Sequence, residues 1–132
     1  DMKVGILPEG EKYYSTFSIW DTFRTWNPLI TLTDTTLVNN IINSYLDMYD
    51  ASGELPIWPL SAGETGTMIG YHSVSVIADA YMKGIRGFDI AKAYEAMKVS
   101  SDKNKKGSDY YIKYGFIRRL VYCANGKRVR KR

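Results

Sequence analysis

TTLVNNIINSYLDMYDASG, residues 35–53, is the stretch whose reading decides the fold. Leu37, Ile41, Tyr45 and Met48 recur at steps of three and four, and Val38, Ile42, Leu46 and Tyr49 lie beside them. That spacing gathers the apolar side chains on one wide face of an α-helix. Asp34 or Thr35 can accept from the free N–H groups of a first helical turn. Gly53 can take the left-handed conformation that closes a last one. The pattern predicts a helix over 35–50.

Outward from this helix, Ile19, Phe23 and Trp26/Asn27 keep three-to-four spacing and predict a helix over 18–32. Pro28 lies inside it and should kink or restart it. Residues 1–16, with Gly5, Pro8 and Gly10, read as an extended entry. On the other side, ELPIWPLSAGETGT (54–67) has the prolines and glycines of a long loop. MIGYHSVSVIADAYMK (68–83) is apolar nearly all round, with Asp79 its one acid, and predicts a helix buried on most sides. Asp79 then needs a partner, most simply Lys83, Arg86 or a backbone donor. Gly84 and Gly87 bracket a tight turn. A fourth helix over 88–100 should present Ile90, Ala93, Tyr94 and Met97, before the polar SSDKNKKGS (100–108).

The fold class this predicts is all-α, about two antiparallel helical hairpins. Alternating helix direction puts the start of the first helix, the 54–67 loop and the 100–108 loop at one end. The short turns fall at the other. Long loops carry function more often than short ones, so a candidate site lies where Trp20 and Asp21 meet the 54–67 loop.

The chain has 132 residues and a formal charge of +4. All 14 acidic residues precede position 118, whereas Arg118–Arg132 holds seven basic residues. Without that end the balance is 11 basic to 14 acidic. The basic character therefore belongs to the end and not to the body. A basic end of this kind suits nucleic acid or an anionic membrane. Cys123 is the single cysteine, which excludes an internal disulfide and a thiolate metal site. DMKVGILPEG has no apolar core of a leader, and no run approaches the ~18 apolar residues of a membrane span. Glycine loops for phosphate, HExxH and nucleophile-elbow patterns do not occur, so NTPase, zinc hydrolase and serine hydrolase chemistry has no support.

Trp20 and Arg24 stand four residues apart with Asp21 between them, on one side of a helix. An indole, a carboxylate and a guanidinium make a wall for a sugar. The same residues fit a helix start with Trp20 in the core. Glu54 and Glu64 flank Trp58 in the loop, either as acids facing a substrate or as solvated loop residues. His72, the single histidine, could meet a sugar hydroxyl or sit hydrogen-bonded in the core.

YYSTFSIWDTFRTWNPLITL and LPIWPLSAGETGTMIGYHSVSVIADAYMKGIRGFD carry a resemblance across residues 3–117. They resemble the catalytic domain of glycoside hydrolase family 92, through YSTFS-x-WDTFR, LPIWPL and MIGYHS-x-x-VIADAY. The resemblance implies part of an (α/α)6 toroid from a calcium-dependent, inverting exo-α-mannosidase. Such an enzyme takes terminal α-linked mannose from mannose-containing glycans and is periplasmic or secreted. It implies that Trp20 and Asp21 line the mannose subsite, that Arg24 orients them, and that Glu64 and His72 are pocket residues. Gly63 departs from the family, which often has Asn there.

The family's general acid, general base and calcium ligands lie on EGN-, GNEP- and GN-[DE]-D-C-G-type segments that do not occur in this sequence. The resemblance therefore assigns no catalytic residue and no calcium ligand to this chain. It makes the rest of the catalytic domain a necessary partner. After KYGFI the chain reads RRLVYCANGKRVRKR, unlike the family, and reads as a frameshifted end over 118–132. The opening DMKVG likewise reads as mid-domain. Binding of nucleic acid or membrane is not expected on this reading. The competing reading is a non-catalytic helical module that uses its basic end for one of them.

Overall fold

The structure is a computed structural model that describes residues 6–7, 9–60, 63–102 and 113–115. The chain divides into two units, Asp1–Ser101 and Asp102–Arg132. In the second, only Asp102 and residues 113–115 are described. The expected 103–108 part of the polar loop and the basic end 118–132 lie outside the described residues.

The elements are α1 (Ile19–Thr22), α2 (Trp26–Thr33), α3 (Thr35–Ser52), β1 (Pro59–Leu60), β2 (Gly63–Glu64), α4 (His72–Met82) and α5 (Ile90–Asp102). The all-helical expectation holds, with one two-stranded ribbon inside the 54–67 loop.

α3 is the central element. Asp34 Oδ1 accepts from Leu37 N–H at 2.9 Å, and Gly53 at φ 75° donates its N–H to the Tyr49 carbonyl at 2.6 Å. Both helix ends are therefore closed as the sequence predicts. Between them Val38, Ile41, Ile42, Ser44, Tyr45 and Leu46 are buried. The entry segment is stitched to this face. Tyr14 N–H donates to Ser44 Oγ at 3.0 Å, and Phe17 meets the buried Tyr45 ring edge-on at 4.9 Å.

The predicted 18–32 helix is two helices. The break falls at 23–25, ahead of the proline, and Pro28 is the third residue of α2. A proline deeper in a helix would leave the carbonyl four residues back without a donor. In a first turn that N–H has no helical partner in any case. α2 accordingly opens with Leu29 N–H donating to Thr25 O at 3.0 Å.

α4 starts at His72, four residues later than predicted, because Gly70 sits at φ 95°, outside any right-handed helix. Its burial also corrects the expectation. Ser73, Val76, Ile77 and Ala80 face the core, while Ser75, Ala78 and Met82 form an exposed ridge. Asp79 takes Lys83 as its partner at 2.7 Å, and the same ammonium donates to Thr31 Oγ1 on α2 at 2.9 Å. Arg86 instead lies over the Tyr81 ring.

The turn after α4 is clamped onto α3. Gly87 N–H donates to Asn39 Oδ1 at 3.0 Å, and Asn43 Nδ2 donates to Gly87 O at 3.3 Å. A Cβ on Gly87 would lie 2.3 Å from the Asn39 amide. In α5 the inward positions are Ala93, Ala96 and Ser100, whose Oγ accepts from Leu55 N–H at 2.9 Å. Tyr94, expected on that face, is exposed, and so is Ile90.

Core and ridge positions predict contrasting substitution costs. Ile42 is fully buried, so Ile42→Ala should lower stability by about 2–5 kcal/mol. Asp34→Ala removes one cap and should cost about 1 kcal/mol. Leu32, 76% exposed, should be nearly neutral as alanine. Urea midpoints at unchanged slope read all three.

Candidate functional site

Ser18 closes the first turn of α1. Its Oγ donates to the Asp21 carboxylate, and Asp21 N–H donates to Ser18 O at 3.0 Å. Ile19 is fully buried, which turns Trp20 outward with 44% of its surface exposed. Asp21 and Arg24 are exposed beside it, and the Arg24 guanidinium lies 5.2 Å from the Phe23 ring centre.

The 54–67 loop reaches the same end. Phe17 N–H donates to Pro59 O at 3.1 Å, and β1 pairs antiparallel with β2 through Pro59↔Glu64 and Leu60↔Gly63. The Glu64 carboxylate turns onto its own loop. Oε2 accepts from Ile57 N–H at 2.7 Å and Trp58 N–H at 3.0 Å, and Oε1 accepts from Gly66 N–H at 3.1 Å. An ionised carboxylate offers about four acceptor positions, so this cradle uses most of them.

His72, the first residue of α4, meets α1 directly. Its ring stacks on Phe23 with centres 4.1 Å apart and planes 13° apart, and it faces Trp20 edge-on at 6.3 Å. Its Nε2 is buried without a hydrogen-bond partner among the described residues. Burial, and then the positive charge of Arg24, push its pKa below the ordinary 6.5.

Trp20, Asp21, Arg24 and His72 thus form one cluster, with Glu64 on the adjoining ribbon as a loop tie. Phe23 and Gly70 were not among the candidate residues read from the sequence. Phe23 is the platform under His72, and its place three residues after Trp20 could have marked it. Among the described residues no three His, Cys, Asp or Glu side chains come together to hold a metal ion. An open groove lined by Tyr14, Phe17, Trp26, Leu37 and Ile41 lies outside this cluster and has no charged side chain in its wall.

The described residues thus present an outward indole with a carboxylate beside it on a helical frame. Residues 1–131 match the model of the glycosyl hydrolase family 92 catalytic domain, and the chain belongs to that family. A family GH92 α-mannosidase from Bacteroides thetaiotaomicron, BT3965, was solved alone and in complex with mannoimidazole. Each structure is 42% identical over 83% of this chain and 15% of the other, at a TM-score of 0.78. A family GH92 inverting mannosidase, BT2199, from Bacteroides thetaiotaomicron VPI-5482 is 35% identical over 81% of this chain and 16% of the other, at 0.72. The chain thus spans about 15% of the length of these relatives. No curated protein matches it. The likeness supports the expected assignment of the helices to part of the family's helical toroid.

Two outcomes follow from this geometry. Glu64→Ala should speed amide exchange at Ile57, Trp58 and Gly66 by about tenfold or more, since a bond to a charged acceptor is worth about 1.5–3 kcal/mol. His72 should make folding acid-sensitive. Its folded pKa lies below 6.5, so the unfolded chain takes the proton first. Its contribution is complete above pH 6.5 and is lost as pH falls through the folded value. Between pH 7.5 and 5.5 the thermal midpoint should drop more in the unsubstituted chain than in His72→Gln.

Proposed function

We propose that this chain is part of the catalytic domain of an inverting exo-α-mannosidase that hydrolyses terminal α-linked mannose from glycans. Its contribution is one wall of the sugar pocket. The observation that carries this is Trp20. A large apolar face is held half-exposed at the start of α1, with the Asp21 carboxylate next to it, in a chain of family 92. The indole takes the apolar face of a sugar ring by stacking, and Asp21 accepts from its hydroxyls. Arg24 flanks the pair, with its guanidinium beside the Phe23 ring.

Inversion needs a carboxylic acid on the leaving oxygen and a carboxylate activating water, roughly 6.5–9.5 Å apart. Glu64 is committed to backbone donors, and Asp21 alone cannot serve both tasks. On this reading the acid, the base and the calcium belong, as the family resemblance implies, to the rest of the catalytic domain, in a periplasmic or secreted parent enzyme.

The purified 132-residue chain should release no mannose from an α-mannoside, with or without calcium. It should still bind methyl α-mannoside weakly, in about the millimolar range, which is near −4 kcal/mol. Tryptophan fluorescence would report this binding, and Trp20→Ala should abolish it. In the parent enzyme, Trp20→Ala and Asp21→Ala should each lower kcat/KM by roughly tenfold or more, about 1.4 kcal/mol. Rapid turnover by the isolated chain would sink the assignment of the acid and base elsewhere. Unchanged kcat/KM in both parent variants would sink the pocket wall.

A further inference from the structure

We infer that His72 is a positioning residue. Its imidazole, stacked on Phe23 and closed off by Gly70, fixes the orientation of the Trp20 indole. The sugar-facing consequence rests on the pocket-wall reading above.

Three observations meet on this ring. On one face, Phe23 lies nearly parallel at 4.1 Å, and Phe23 is itself held to the buried Ile19 by its N–H donating to Ile19 O at 3.0 Å. At the Nε2 edge, Gly70 comes so close that a Cβ there would lie 2.7 Å from the nitrogen. Gly70 also stands at φ 95°, a conformation open to glycine and strained for other residues. On the remaining side the ring meets Trp20 edge-on, at 6.3 Å and 73°.

The same geometry argues against the expectation that His72 binds a sugar hydroxyl through Nε2. That atom is buried, and it has no partner among the described residues. A neutral ring with its hydrogen on Nδ1 leaves only an unpaired acceptor at Gly70. A protonated ring would bury an N–H with no acceptor and set a cation beside Arg24. Arg24, in the break between α1 and α2, is the charged group that acts on the ring. On α4 itself the next charge is Asp79, two turns further on, and it is paired with Lys83. The stack is therefore stable as a neutral assembly and loosens when His72 takes up a proton.

The test is proton NMR of the 132-residue chain, in which the single histidine gives an unambiguous ring resonance. Trp20→Phe identifies the Trp20 indole among three. The His72 resonance should be displaced upfield by Phe23, should return toward the free position in Phe23→Leu, and should titrate below pH 6.5. The Trp20 indole resonance should move with the same midpoint. In His72→Phe it should stay sharp and lose its pH dependence, whereas in His72→Ala and Gly70→Ala it should broaden or shift. Far-UV circular dichroism checks that each variant keeps its helices.

A wild-type His72 at the free position titrating at 6.5, or a Trp20 resonance that ignores both pH and His72→Ala, overturns the inference. So does a His72→Phe variant as disordered at Trp20 as His72→Ala. None of these readouts contains sugar. A Trp20 resonance that follows His72 but does not respond to methyl α-mannoside would overturn the pocket wall and leave the positioning role standing.

Discussion

The rest of the structure is built on α3, which Asp34 caps at its start and Gly53 at its finish. A helix carries unpaired N–H groups at its start and unpaired carbonyls at its finish, and burying them bare is expensive. Asp34 and Gly53 close the two ends, which frees the residues between to face inward. The other elements lean on that face. The entry segment is tied through Ser44, the turn before α5 through Asn39 and Asn43, and Lys92 pairs with Asp50 at the far end. The surface ion pair contributes little energy by comparison with the buried apolar side chains.

This hierarchy explains what could be read in the sequence. α3 was legible at both ends because its caps are side-chain and glycine signals sitting at the edges of a periodic run. α1 and α2 share one run of three-to-four spacing, and the restart expected at Pro28 falls at Trp26, two residues ahead of it. A proline in a first turn marks a start a few residues earlier. α4 was begun too early because Met68 and Ile69 continue the apolar pattern, and periodicity does not register the backbone angle at Gly70. The 59–64 ribbon was unreadable because two residues per strand are too few to show alternation.

The site divides in the same way. Helical spacing puts Trp20, Asp21 and Arg24 on one side of a helix start, and the resemblance to family 92 is what marks them as pocket residues. His72 joins them through Phe23, a contact across 49 residues that spacing cannot supply. Glu64 was noticed for its charge, yet its partners are the amides of Ile57, Trp58 and Gly66, and backbone donors leave no trace in a sequence.

The clamp on Gly87 has an evolutionary consequence. Asn39 and Asn43 stand one turn apart on α3 and grip the two sides of a single residue, where a Cβ would press on the Asn39 amide. Change at any one of the three leaves the others with a clash or an empty hydrogen bond. Among related chains these positions should drift together or stay put. A residue inserted between Lys83 and Phe88 should be rarer than one in the 54–67 loop, even though both are connections between helices.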